Sequence, residues 1–241
     1  MTKMKKSAEL LWLLGILFVA LGVAICSKAD LGVSMIAAPA FVIYEALAPV
    51  LSGISVGVTE YVIQGLLLLL LCVVIRRFHW HYLLAFAVAV LYGYVLNLFL
   101  WLLDGIAPDA VWQRWLLLLL GDVCTAFGVA CFFRTYMPLQ VYELFVAEVA
   151  KRFSLNINKV KWTFDIFLLV LSATLALALF CDAGSFDWST IRYASYHSIG
   201  LGTLVTTAIN SPVISLMGKL IDRIFEPAPR FARLEKLLHN A

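Results

Sequence analysis

The stretch Ile25–Phe41, ICSKADLGVSMIAAPAF, interrupts an otherwise continuous series of apolar segments. One apolar run ends just before Lys28, and a new run begins as soon as the chain has passed Asp30. The new run contains Pro39 and leads to an acidic residue, Glu45. A proline and a carboxylate are both unfavourable inside an ordinary membrane span, so we do not expect this second run to cross a bilayer as a regular helix.

The composition of the chain places most of it in lipid. Of its 241 residues, 63% are hydrophobic and only 14% are charged, which is more apolar surface than a water-soluble domain can bury. A helix needs about 20 apolar residues to cross the hydrocarbon core of a membrane. Six stretches meet this requirement: Leu10–Ser27, Val56–Ile75, Tyr82–Leu103, Trp115–Phe133, Val160–Cys181 and His197–Leu220. The sequence therefore predicts an all-α polytopic membrane protein, with the lipid bilayer as its principal partner.

Two further apolar segments are too short or too interrupted to count as spans. The first is Val33–Leu51, which contains Pro39, Glu45 and Pro49. The second is Pro138–Ala150, which reaches only about 20 Å as a helix at 1.5 Å per residue. We interpret both as re-entrant or broken half-helices, which enter the bilayer and return to the side from which they came.

The distribution of lysine and arginine supports this interpretation. With six spans, two re-entrant segments and a cytoplasmic N terminus, 15 of the 18 basic residues face the cytoplasm. If both short segments crossed the bilayer, only 13 would do so. The positive-inside rule therefore favours six spans, with both termini of the chain in the cytoplasm.

A short sequence repeat divides the chain into two halves. Leu21–Lys28, LGVAICSK, recurs as Phe127–Arg134, FGVACFFR, and each copy closes a span that is followed by a short segment and two more spans. Because three spans per half is an odd number, the second copy enters the membrane from the opposite side, as in secondary transporters. We predict an inverted 3+3 repeat with halves 1–110 and 111–222. Residues 223–241 are predicted to form a basic amphipathic tail on cytoplasmic headgroups.

Five carboxylates inside the apolar stretches are the first candidates for function: Glu45, Glu60, Asp122, Glu143 and Asp165. A charge at the centre of a span costs about 2.5–3.5 kcal/mol, so each needs a partner, a wet lining or a proton. Asp122 has no basic neighbour in sequence, and Glu143 lies in the second short segment, so both are predicted to bind an ion. For Asp165, an ion pair with Lys161 at i,i+4 is supported as well as a functional role. Glu60, near the start of its span, is interpreted as interfacial.

Uncharged polar residues complete the predicted binding site. In the last span, Asn210 and Ser211 stand beside Pro212, which frees a backbone carbonyl one turn earlier. A packed kink explains this stretch as well as a binding site does, and close helix packing explains many such residues. The other candidates for substrate or ion binding are Ser34, Asn97, Gln140, Tyr142 and Thr203.

No pattern in the sequence indicates an enzyme, a metal site or a nucleic-acid partner. The five cysteines form no CxxC pair, and the chain contains no His–acid pair, GxSxG or HExxH motif. The basic residues lie at the ends of spans, where lipid headgroups account for them. We therefore expect no enzymatic activity, no cofactor, no metal and no nucleic-acid partner.

KADLGVSMIAAP, Lys28–Pro39, resembles the opening of the YczE-like family of bacterial inner-membrane proteins, which is related to the YitT group. Ala29–Ser34 matches the family pattern Ala-x-Leu-Gly-x-Ser, and Gly200–Thr203 matches its Gly-x-Gly-Thr. Met137–Phe145, MPLQVYELF, departs from the family's Gly-Pro-Arg-Asp hairpin. The resemblance implies a multi-pass protein of the bacterial inner membrane that is expected to be a transporter and that brings no settled substrate.

Three functions remain open at this point. The leading prediction is a secondary transporter of a small polar or anionic solute, coupled to a proton or to a cation such as Na⁺. The alternative is a membrane scaffold or chaperone for a partner protein, in which the buried acids would pair structurally. An intramembrane enzyme is the least supported function. The sequence is compatible with an oligomer.

Overall fold

The part of the chain that the computed structural model describes, residues 4–180, 186–187, 192–193 and 198–228, is almost entirely helical. Its helices are α1 (Ala8–Lys28), α2 (Ala38–Leu47), α3 (Val56–Ile75), α4 (His81–Leu102), α5 (Val111–Phe132), α6 (Val141–Arg152), α7 (Ile157–Leu179) and α8 (Leu201–Ile224). Its strands are β1 (Met4–Ser7), β2 (Phe186–Asp187), β3 (Arg192–Tyr193) and β4 (Phe225–Ala228). Six of these helices are long and apolar enough to cross a membrane, which confirms the predicted all-α polytopic class.

Polar side chains determine where several of the apolar helices begin. Ser7 accepts a hydrogen bond from the Leu10 N–H at the start of α1, at 3.1 Å. Asn156 does the same for the Asn158 N–H at the start of α7, at 2.9 Å. Such caps satisfy N–H groups that have no partner within the helix. The last helix begins at Leu201, and the predicted earlier start at His197 lies outside the described residues, as does Cys181.

Two short sheets were not predicted. β1 and β4 pair in parallel, and β2 and β3 pair in an antiparallel arrangement. The chain is extended from Phe225 to Ala228, within the predicted amphipathic tail 223–241. Pro227 has no N–H to donate within a helix, and it favours an extended conformation for the residue before it. The rest of the tail, residues 229–241, lies outside the described residues.

Glycine residues let the backbones of α1 and α5 touch. A Cβ added at Gly22 would lie 2.5 Å from the carbonyl oxygen of Gly121, and one at Gly128 would lie 2.7 Å from that of Gly15. Residue numbers therefore rise along one helix as they fall along the other, so the two helices run antiparallel. Close contact through small residues is a common way for membrane helices to associate, because lipid removes the hydrophobic driving force between them.

The antiparallel direction of α1 and α5 shows how α2 runs. If α2, α3 and α4 all crossed the bilayer, three crossings would separate α1 from α5, and these two helices would run in the same direction. With two crossings, by α3 and α4 alone, they run in opposite directions. They point in opposite directions because α2 does not complete a crossing. An ion pair agrees, since Lys28 Nζ at the end of α1 lies 2.9 Å from Oδ1 of Asp104, just after α4. The ends of α1 and α4 therefore share one face, which we call the Lys28 face.

A second ion pair gives the same result for α6. Arg134, just after α5, donates from Nε to Asp222 Oδ1 at 2.6 Å and from Nη2 to Oδ2 at 2.7 Å. Asp222 lies near the end of α8, so α5 and α8 end at one face, which we call the Arg134 face. A complete crossing by α6 would have placed these two ends on opposite faces. Both short helices thus have the direction expected of re-entrant half-helices.

Labelling from the two sides of the membrane tests this topology. With the native cysteines replaced by serine, Arg76→Cys and Lys151→Cys should react with a membrane-impermeant maleimide from the same side. Both positions are exposed, and six crossings place both at the Arg134 face. Gly105→Cys, next to Asp104 at the Lys28 face, is the matched control and should react only from the other side. Labelling of positions 76 and 151 from opposite sides would show that α6 crosses the bilayer.

Candidate functional site

Four carboxylates and one lysine are buried between α3, α5, α6 and α7. The carboxylates of this carboxylate cluster are Glu60, Asp122, Glu143 and Asp165, and the lysine is Lys161. Each carboxylate residue is at most 2% exposed, and Lys161 is 5% exposed. Among the residues whose burial the structure describes, Lys161 is the only basic residue in this class. The cluster therefore contains far more negative than positive charge if all its groups are ionised.

The two ends of the cluster are held by short-range hydrogen bonds. Tyr142 donates from its hydroxyl to Glu60 Oε2 at 2.9 Å, and Gln64 Nε2 lies 3.5 Å from the same oxygen. Lys161 Nζ lies 2.5 Å from Asp165 Oδ1, one turn further along α7. Charge-assisted contacts of this kind are stronger than neutral ones, so they fix both side chains in place.

Electrostatic interactions join these two ends into one unit. The positive charge of Lys161 interacts electrostatically with the carboxylates of Asp122 and Glu143 as well as with that of its own partner, Asp165. Glu143 in turn acts on Glu60. Glu143 also lies in the first turn of α6, where the positive end of the helix dipole favours a carboxylate. A change in the charge of Lys161 therefore affects three of the carboxylates, and a change in the charge of Glu143 affects the fourth.

Many oxygen atoms of this region have no hydrogen-bond partner in the part of the chain that the structure describes. They are one carboxylate oxygen each of Glu60, Glu143 and Asp165, both carboxylate oxygens of Asp122, and the amide oxygens of Gln64 and Gln140. Buried polar atoms are normally paired, and each one that is not requires an explanation. All of these atoms are acceptors, so what the cluster lacks is donors or positive charge.

The interpretation of Glu60 as interfacial is wrong. Its side chain is fully buried, and Tyr142 of α6 binds it. The physical reason is that α6 packs against α3 and covers the beginning of that helix. The position of Glu60 within its span could not reveal this contact. Gln64, one turn after Glu60, was missed for the same reason, although its i,i+4 spacing was visible in the sequence.

The polar face of α8 contributes one further unpartnered side chain. Asn210 is fully buried, and neither its Nδ2 nor its Oδ1 has a partner among the described residues. The threonines on this face bond within their own helix, since Thr206 and Thr207 donate to the carbonyl oxygen of Thr203. Thr203 also accepts a hydrogen bond from the Gly200 N–H, at 3.3 Å. Helix packing therefore accounts for these threonines but not for Asn210.

Four predicted site residues lie away from the carboxylate cluster. Asn97 ties α4 to the start of α3, because it accepts from the Gly57 N–H and donates to Ser55 Oγ, both at 2.9 Å. Ser34 is buried, and its hydroxyl lies 3.6 Å from Met35 Sδ. The other two line surface cavities. Glu45 lines a cavity of about 310 Å³ at the Lys28 face, and Ser211 lines a cavity of about 550 Å³ between α7 and α8.

Three predicted residues, Asp122, Glu143 and Asp165, belong to the carboxylate cluster, and a fourth, Tyr142, hydrogen-bonds to it. Gln140, at the start of α6, is buried, and its amide oxygen has no partner among the described residues. The geometry of the cluster suits the binding of positively charged or hydrogen-bond-donating species inside the membrane. Among the described residues, no three His, Cys, Asp or Glu side chains lie close enough to hold one metal ion.

Comparison with known proteins yields one match. No curated protein and no solved structure matches the chain. The family model "Family of unknown function (DUF6198)" matches residues 6–219, a range of 214 residues that extends from before α1 into α8. Because this range covers most of the 241 residues, the chain belongs to the DUF6198 family.

Proposed function

We propose that the protein is a secondary transporter of the bacterial inner membrane, which moves a small polar or anionic solute coupled to a proton or cation. The observation that carries the proposal is the carboxylate cluster, sealed inside the membrane-spanning part of the chain. Ionisable residues are rare at such depth, and they commonly mark ion and substrate pathways. An enzymatic role has no comparable support.

The pattern of helix contacts supports an inverted repeat. In such a repeat, α5, α6, α7 and α8 are the equivalents of α1, α2, α3 and α4. Accordingly, α1 packs against α4 as α5 packs against α8, and α2 packs against α7 as α6 packs against α3. Gly15 and Gly121 occupy equivalent positions at the central crossing, and so do Gly22 and Gly128. Both pairs are separated by 106 residues, as are the two copies of the sequence repeat. This arrangement is typical of transporters whose substrate lies between the two repeats.

The two terminal ion pairs are equivalent in the same way. Lys28–Asp104 joins the ends of the first and last long helices of one half, and Arg134–Asp222 does the same in the other half. The Arg134 face also carries Arg76 and Lys151 in the proposed topology. The positive-inside rule then makes this face cytoplasmic.

The proposed site uses both halves of the chain. Glu60 comes from α3 in the first half, and the other cluster members come from the second half. A movement of one half against the other would therefore alter contacts such as that of Tyr142 with Glu60. Because the cluster is sealed, we interpret this conformation as an occluded one.

A scaffold for a partner protein is the second candidate. The contact of Lys161 with Asp165, at 2.5 Å, favours it, because the pair explains two of the five charged residues structurally. The scaffold function leaves the burial of Asp122 and Glu143 unexplained, since neither has a basic side chain of the described residues within hydrogen-bonding distance. We therefore place transport first.

Transport is tested with the full chain reconstituted in liposomes. Acetate, lactate, phosphate and a set of amino acids, each radiolabelled, are supplied under an inward proton gradient and under an inward sodium gradient. A solute that binds the folded protein also raises its melting temperature, which selects solutes for the assay. We expect gradient-driven uptake of at least one solute by the wild type.

The matched variants are Glu143→Gln and Asp109→Asn. Both remove one carboxylate, but Asp109 lies in an exposed loop between α4 and α5. We expect Glu143→Gln to lose at least ten-fold in uptake rate, because it removes a proposed coupling group, and Asp109→Asn to retain the wild-type rate. Full uptake by a folded Glu143→Gln protein would contradict the coupling role. Absence of uptake for every solute would favour the scaffold.

A further inference from the structure

The unpartnered atoms of the carboxylate cluster are all of one chemical kind. Glu60 Oε1, Glu143 Oε2, Asp165 Oδ2 and both oxygens of Asp122 accept hydrogen bonds and cannot donate them when ionised. The amide oxygen of Gln64, also buried and unpartnered, lies beside Glu60. An anion placed here would add further acceptors, so the ligand must supply positive charge or donors.

The charge balance of the cluster also favours a ligand that carries positive charge. Four carboxylates carry four negative charges and Lys161 carries one positive charge, which leaves a net charge of −3 in the fully ionised state. Such a charge is unfavourable in a buried, low-dielectric site. Electroneutrality requires three further positive charges.

The spacing of the carboxylates favours small ligands that bind singly. The four groups lie on α3, α5, α6 and α7, and no three of the described His, Cys, Asp or Glu side chains converge on a common point. A metal ion prefers several oxygen ligands at once. A proton needs only one oxygen, and each proton converts one acceptor into a donor.

We propose that the ligand of the carboxylate cluster is the proton, and that the cluster holds three exchangeable protons when it is neutral. Each protonation converts one carboxylate and one proton into a carboxylic acid. In the proposed transporter these protons are the coupling ions, so that role rests on the proposed function, but their presence can be measured without transport.

The surroundings of each acid are consistent with proton exchange inside the cluster. Glu60 faces Tyr142 and Glu143 of α6, and Tyr92 of α4 interacts with it as well. The Tyr142 hydroxyl donates to Glu60, so α6 contributes both a hydrogen-bond donor and a second carboxylate, Glu143, at this end of the cluster.

The other end of the cluster differs in that it contains a positive charge, that of Lys161. Asp122 interacts electrostatically with Lys161 and Asp165 of α7 and with Cys26 of α1. Lys161 also faces Glu143. The lysine is therefore the one fixed positive charge on which the remaining carboxylates depend.

Infrared spectroscopy of the full chain, purified in an alkyl maltoside detergent that contains no carbonyl group, tests the proposal directly. A protonated carboxylic acid has a carbonyl stretching band that an ionised carboxylate lacks. We expect this band in the wild type. Glu60→Gln, Glu143→Gln and Asp122→Asn should each remove about a third of it, because each variant lowers the number of protons needed for neutrality from three to two. Tyr142→Phe, which only removes a hydrogen-bond donor, should shift one component of the band without removing it.

Asp104→Asn is the matched control. A hydrogen bond from Lys28, together with the charge of that lysine, lowers the pKa of Asp104, so this exposed carboxylate should contribute nothing to the band. The proposal is overturned if the wild type has no such band, or if the band is the same in all three cluster variants. It is also overturned if sodium chloride, in place of choline chloride, abolishes the band. A normal band in a protein that transports nothing would reject the proposed function and leave this inference intact.

Discussion

Replacement of Lys161 by methionine should abolish stable folding. The side chain is buried, and its Nζ lies 2.5 Å from Asp165 Oδ1. Removal of one partner from a buried ion pair costs about 3–5 kcal/mol, because the other charge stays buried without compensation. Here Lys161 also acts on Asp122 and Glu143, so the variant removes the only fixed positive charge of the cluster and leaves its remaining negative charge without a counter-charge. Total stabilities are about 5–15 kcal/mol, so the loss is a large fraction of the whole.

Thermal unfolding of the purified protein in detergent measures this effect. We expect Lys161→Met to be aggregated or to melt far below the wild type. Lys159→Met, in the same helix but exposed, is the control and should melt like the wild type. The double variant Lys161→Met/Asp165→Asn should recover much of the stability, because it removes both charges of the pair. The explanation would be wrong if the single variant were as stable as the wild type, or if the double variant were no more stable than the single one.

The second large effect is expected at the crossing of α1 and α5. A Cβ at Gly22 would lie 2.5 Å from the carbonyl oxygen of Gly121, and it would also meet the hydroxyl of Thr125. These contacts are with backbone and with a short side chain, so the helices themselves would have to separate. Overpacking typically costs about 1–3 kcal/mol and occasionally more, and we expect Gly22→Leu at the upper end.

Gly105→Leu is the control for this substitution. A Cβ at Gly105 meets no atom within 4 Å, so the same change of residue should leave the melting temperature nearly unchanged. Equal melting temperatures for the two variants would show that α1 and α5 are not in backbone contact. Gly53 is unsuitable as a control, because its φ of +93° makes any side chain there unfavourable.

Hydropathy and local chemistry were sufficient to predict the helices. A span is a property of consecutive residues, so composition and length identified all six long helices and both short ones. The direction of α2 and α6 followed from counting basic residues, which depends on topology and not on packing. The three identities of the sequence repeat include Gly22 and Gly128, which the structure places in the α1–α5 crossing.

The composition of the candidate site was less predictable, because burial depends on contacts between distant segments. Glu60 and Tyr142 are 82 residues apart in the chain, and nothing near Glu60 in sequence indicates that α6 covers it. The same limit applies to the pairing of β1 with β4. Asn97 was selected for its polarity, whereas its role in tying α4 to α3 depends on the position of Gly57. The resemblance to the YczE-like family remains a prediction beside the DUF6198 membership.

The glycine crossing has a consequence for how the protein is made. α1 is synthesised before its main partner, and 82 residues, positions 29–110, separate the end of α1 from the start of α5. A ribosome that adds about 5–20 residues per second takes about 4–16 s to cover that distance. During this interval the glycine-lined side of α1 lacks the helix against which it packs. We expect factors that shield newly inserted helices to act on α1 throughout this delay.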